Sequence, residues 1–211
     1  MGSVSFLRVR ALMGIPVAAA WGATAVFVLL VYPCLSRLVR LDYHRLGTGV
    51  READLVGLLM ALAMAAMVSP VGFPVPVAGW QALFFVATCW FVVNVVRSPA
   101  TRNVCRHCDF HHGVSAAAMV YMLAAMPHGD GGHHSVWPMM VDPATAQTYA
   151  LPAVALVCAV YFLADGAHTV WRAFRNRRTG AMLPPGVNSR FGCRVVMNFG
   201  MAGMFVAGLV P

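Results

Sequence analysis

The chain has 211 residues, of which 60% are apolar and 10% charged, and its mean hydropathy is +0.71. A soluble domain carries about 25% charged residues, so this composition excludes an ordinary soluble globule, a disordered chain and a secreted disulfide scaffold. It predicts an all-α, polytopic transmembrane helix bundle that occupies residues 1–211 as a single domain. The formal net charge is +8, and every basic residue is arginine. Because these arginines fall between apolar stretches, they read as a membrane-orientation signal and not as a nucleic-acid surface.

Six apolar stretches, at about 11–33, 54–73, 79–97, 111–127, 149–171 and 194–211, read as spans. A hydrocarbon core of ~30 Å takes ~20 helical residues per crossing, which these stretches supply. The first follows Arg8 and Arg10 but is too long for a signal-peptide core and lacks a small-x-small cleavage site, so it reads as an uncleaved span. The first connection holds Arg37, Arg40, Arg45 and Arg51, the second no arginine, and the third Arg97, Arg102 and Arg106. The fourth has Asp130 and Asp142 but no arginine, whereas the fifth holds Arg172, Arg175, Arg177, Arg178, Arg190 and Arg194. This alternation puts the first, third and fifth connections in the cytoplasm and both termini outside the cell membrane. Residues 36–51 mix Leu38, Val39, Leu41, Tyr43 and Leu46 with arginine, and are expected to lie along the inner headgroups. Pro70, Pro74, Pro76 and Pro127 stop the second and fourth spans.

Methionine recurs with a fixed step. The second span carries Met60, Met64 and Met67, and the sixth carries Met197, Met201 and Met204 at identical spacing. The fourth has Met119, Met122 and Met126, with the same steps in the other order. At ~100° per residue each triplet occupies one arc of its helix. The pattern suggests three helical-hairpin repeats whose second members bear the methionines. If those faces meet, the interior is a thioether-lined column. Thioethers and thiols are soft ligands that favour Cu(I), and a neutral thioether carries no charge to desolvate. The competing reading is that methionine is a flexible apolar filler.

Other soft or imidazole ligands stand at the inner ends of these stripes. Cys193 is one turn before Met197, and Cys105, Cys108, His111 and His112 precede Met119. Two thiolates with one or two imidazoles can hold Cu(I) or Zn²⁺; a reduced, solvated cysteine pair is the alternative. Cys34, Cys89 and Cys158 are scattered in or beside apolar spans, which is not a disulfide framework. The long outer loop offers His128, His133 and His134 for capturing copper, or is simply a polar glycine loop. Asp165 and His168, three residues apart on the fifth span with Tyr161 a turn before, could relay a proton or ligate a metal, or snorkel to the interface. Asn94 and Asn198 are expected to hydrogen-bond helix to helix. Glu52 and Asp54 open the second span, where the helix N-terminus accounts for carboxylates. Haem remains open through His112 or His168 with a methionine. No P-loop, dinucleotide fingerprint, nucleophile elbow or H-E-x-x-H occurs, so no catalytic residue is assigned.

The run from Asp54 through Met60 and Met64 to Met67, the His111-His112 start of the fourth span with Met119, Tyr121 and Met122, and the Cys193-Arg-Val-Val-Met197 segment resemble an actinobacterial family of small, His/Met-rich, six-helix membrane proteins of unknown function. The resemblance covers the chain from the second span onward. It implies fold and location but lends no activity. Cu(I) handling is the first functional expectation, ahead of Zn²⁺ or haem. A non-catalytic accessory subunit of a larger membrane complex and a haem or redox protein are the alternatives. The expected partners are the lipid bilayer and other membrane subunits.

Overall fold

The computed structural model describes residues 3–42, 48–69, 77–97, 106–125, 149–179 and 187–209, without the side chains of 3–17, 48–49 and 106–109. These residues form six helices and no strand. They are α1 (Ser3–Arg40), α2 (Thr48–Val68), α3 (Val77–Arg97), α4 (Arg106–Ala124), α5 (Pro152–Arg178) and α6 (Val187–Ala207). Consecutive helices pair into three hairpins, α1 with α2, α3 with α4, and α5 with α6. The hairpins meet mainly where α2 approaches α4 and α6, and where α1 approaches α6.

The expected helices are all present, and some extend beyond the apolar runs that announce them. Helix α1 continues as helix through Arg40, and residues 43–47 of the expected headgroup segment lie outside the described residues. Helix α6 starts at Val187, which brings Arg190, Cys193 and Arg194 inside it and not into a loop. Pro152 takes the first position of α5, where its missing N–H costs nothing, and Arg175, Arg177 and Arg178 occupy the last turn, where the helix dipole favours cations.

The two members of each hairpin differ in what they expose. The outer helices α1, α3 and α5 present Leu29, Tyr32, Phe85, Val86, Val157 and Val160 outward. The second members bury their apolar side chains: Ala61, Met64 and Ala65 on α2, Ala116 and Met119 on α4, Met201 and Ala202 on α6. Small residues on these helices let backbones approach closely. The tightest approach is at Gly200 of α6. A Cβ built there would lie 2.5 Å from the Phe27 ring of α1 and 2.8 Å from the Met64 methyl of α2.

Among the described residues, α1 from Ala18, α3 and α5 are long and apolar enough to cross a membrane. The other three, α2, α4 and α6, are not. Their N-terminal halves carry the polar residues Glu52 and Asp54, His111 and Ser115, or Arg190 and Arg194, and of these Asp54, His111 and Ser115 are buried in the bundle. The protein is therefore an all-helical, membrane-associated bundle with three lipid-compatible outer helices around a more polar inner set.

Candidate functional site

The interior changes character along its length. At one end Tyr121 stacks on Tyr149 at a centroid separation of 5.4 Å, and Phe205 packs on Tyr149 at 5.6 Å with its ring tilted. The Tyr121 hydroxyl donates to the Leu151 carbonyl at 2.9 Å, which ties α4 to the start of α5. In the middle lie the methionines. Met60, Met64, Met67, Met119, Met122, Met201 and Met204 are buried in one continuous core, and Met197 is half-buried against it. Met126 lies outside the described residues.

The opposite end is ionic. Helix α6 presents Arg190, Arg194 and Asn198 at successive i, i+4 positions, one face of a helix, with Cys193 beside them. Asp165 of α5 receives a two-pronged contact from Arg194, Nε at 2.9 Å and Nη2 at 2.7 Å. The Asn198 amide donates to the same carboxylate at 2.6 Å. His111 of α4 stands with Nδ1 3.6 Å from Asp165 and 3.2 Å from the Tyr161 hydroxyl. Asp165, His111 and Asn198 are all buried. In a low-dielectric interior such charges persist only when paired, and here every named polar group has a partner.

A second cluster sits one turn away on α6 and reaches α1 and α2. The Arg37 Nε donates to Asp54 at 3.1 Å, while Arg190 clamps the same carboxylate through Nε at 3.2 Å and Nη2 at 2.7 Å. Arg37 Nη1 donates to the Ser189 hydroxyl at 2.9 Å. Its remaining reach goes to sulfur: Nη1 lies 3.5 Å from Cys193 Sγ and Nη2 lies 3.4 Å from Cys34 Sγ. The two sulfurs are 3.8 Å apart, and both cysteines are free and buried.

These positions sort the sequence-derived candidates. Cys193, His111 and the inner-helix methionines share the interior. His112 is half-buried and packs on Phe91, with ring centroids 5.5 Å apart. Asp165 is central, but His168 faces outward and stacks on Trp171, so the two do not form one site. Asn198 joins helices as expected, through Asp165. Asp54 needs a different account from the one its place near a helix start suggested: it is a buried hub for two arginines of other helices. Cys34, Arg37 and Arg190 are functional candidates that sequence reasoning missed. The i, i+4 polar stripe of Arg190, Arg194 and Asn198 was the available signal; the Cys34–Cys193 approach, 159 residues apart, had none. Cys105, His128, His133 and His134 lie outside the described residues, and Cys108 has only its backbone described. Among the described residues no group of three or more His, Cys, Asp or Glu side chains could hold a metal.

The comparisons with known proteins lead to a family of unknown function. Proteins of Mycobacterium bovis and of two Mycobacterium tuberculosis strains, each described as uncharacterised, are 28% identical to this chain over 213 aligned positions, covering 90% of it and 96% of each relative. No solved structure matches. The model of a domain of unknown function, DUF5134, matches residues 49–208, from the start of α2 to the end of α6, and the chain belongs to that family.

Proposed function

We propose that this protein handles Cu(I) in the membrane through its sulfur-rich interior. One observation carries the reading: seven methionines from α2, α4 and α6 are buried in a single core between the hairpins instead of being spread over the lipid-facing surface. Soft thioether donors favour Cu(I) over hard cations. His111 and Cys193 add imidazole and thiol donors at the ionic end, and His112 lies beside them. Binding, transfer to a partner, and passage across the bilayer all fit this arrangement.

Metal analysis of the detergent-purified chain tests it. Copper retained by the wild type and reduced when Met64, Met122 and Met201 are replaced by leucine supports the proposal. Leucine conserves volume, so the triple variant should remain folded, at a cost of under ~1.5 kcal/mol per site. Undiminished copper in that variant overturns the methionine reading.

A further inference from the structure

We infer that Cys34 and Cys193 form a two-sulfur site for a soft monovalent cation, Cu(I), with Arg37 as its counter-charge. The inference deepens the copper reading by assigning a specific site to it, and it rests on geometry that the methionines do not share. The sulfurs come from α1 and α6, are buried, and stand 3.8 Å apart. With metal–sulfur bonds of about 2.3 Å, that separation subtends an angle of roughly 110° at a bridging ion. Opening toward a linear arrangement moves each sulfur by about 0.4 Å with the same bond length. A disulfide, by contrast, would require the sulfurs to close to about 2.05 Å.

Charge points the same way. Binding converts two thiols and Cu⁺ into a copper dithiolate of charge −1, with two protons released. An anion in this interior needs a cation beside it. Arg37 directs one guanidinium nitrogen to each sulfur, at 3.4 and 3.5 Å, while its Nε stays on Asp54. Arg37, Arg190 and Asp54 together carry +1, so a dithiolate complex neutralises the group. A hard dication would leave it positive, and the Asp54 carboxylate is already engaged by two arginines. Met197 follows Cys193 by one helical turn, which connects this site in sequence to the methionine stripe of α6.

The test uses the full chain in detergent, with Cys89, Cys105, Cys108 and Cys158 changed to serine so that only the pair remains. Cu(I) is titrated anaerobically against a colorimetric Cu(I) chelator, with near-ultraviolet thiolate-to-copper absorption as the second readout. The expected result is one tightly held Cu(I) per chain beyond the copper that the methionines hold, lost in Cys34→Ser and in Cys193→Ser. It should be kept in the Met64→Leu, Met122→Leu, Met201→Leu chain. Arg37→Gln should weaken it by about 10–100-fold, as removal of a supporting outer-shell group does, and Arg37→Lys should recover part of that loss.

The two copper readings fail separately. Copper kept by both serine variants but lost with the methionines overturns the dithiol site and leaves the methionine proposal standing. The reverse pattern does the opposite. Should the serine variants not fold, alkylation of the unaltered pair decides: Cu(I) must slow labelling of both thiols, and equal labelling with and without it overturns the inference. A Cys34–Cys193 disulfide that reductant and Cu(I) together fail to replace also overturns it, assigning the pair to redox chemistry.

Discussion

Asp165 is held by three donors from α6, two from Arg194 and one from Asn198, and His111 approaches from α4. A carboxylate so placed does not merely tolerate burial; it neutralises an arginine that would otherwise face the interior unpaired. Removing one member of a buried pair strands the other, at a cost of about 3–5 kcal/mol. Asp165→Ala should therefore destabilise the detergent-solubilised protein by a free energy of that order, read as a lowered thermal midpoint. Combining it with Arg194→Met, which removes the stranded charge, should recover much of the loss. If the double variant is as unstable as the two single losses added together, the pair is not coupled as the geometry implies. Asp165 was legible in the sequence as a charge within a span. Its partner was not, because Arg194 stands just where the apolar run begins, and an arginine there looks like a loop anchor. The same ambiguity hid Arg37 and Arg190. Hydropathy falls wherever polar residues occur, whether they turn outward to headgroups or inward to a carboxylate.

At the level of elements, the methionine step was informative because it repeats on alternate helices. It marks α2, α4 and α6 as a set, and these are the members that bury their apolar side chains between the hairpins. Helix ends were less legible than helix cores, since α1 and α6 extend past their apolar runs on the strength of tertiary ion pairs. How near the helices come depends on residues without side chains. Gly200 lets α6 settle against Phe27 and Met64, two side chains from different helices. Gly200→Ala pushes a methyl group into the Phe27 ring, and overpacking of this kind typically costs 1–3 kcal/mol, so a loss of about 2 kcal/mol is expected. Pairing it with Phe27→Leu should restore part of the stability if the clash is the cause, as measured by thermal unfolding. A loss unchanged by the second substitution would place the strain in the α6 backbone instead.

For the whole molecule, the division between outer and inner helices determines what the bundle meets. Trp21 on α1, Trp90 on α3 and Trp171 on α5 are 51%, 52% and 56% exposed, one on each helix long and apolar enough to cross a membrane. Trp90 also donates to Glu52 at 3.0 Å, which ties it to α2 without enclosing it. Aromatic side chains in these positions belong either against acyl chains and headgroups or against a neighbouring membrane subunit. Brominated phospholipids separate the two, because bromine quenches indole fluorescence only at close range. In a chain with Trp80 and Trp137 changed to phenylalanine, the three remaining indoles should be strongly quenched by bromine on the lipid chains and weakly by aqueous acrylamide. All three faces would then be lipid-facing, and a partner seeking the methionine-lined interior would have to approach from an end of the bundle. Replacing two of the three tryptophans at a time by phenylalanine identifies any exception. An indole shielded from bromine in native membranes, yet quenched once the protein is purified and reconstituted alone, would mark the helix on which another subunit sits.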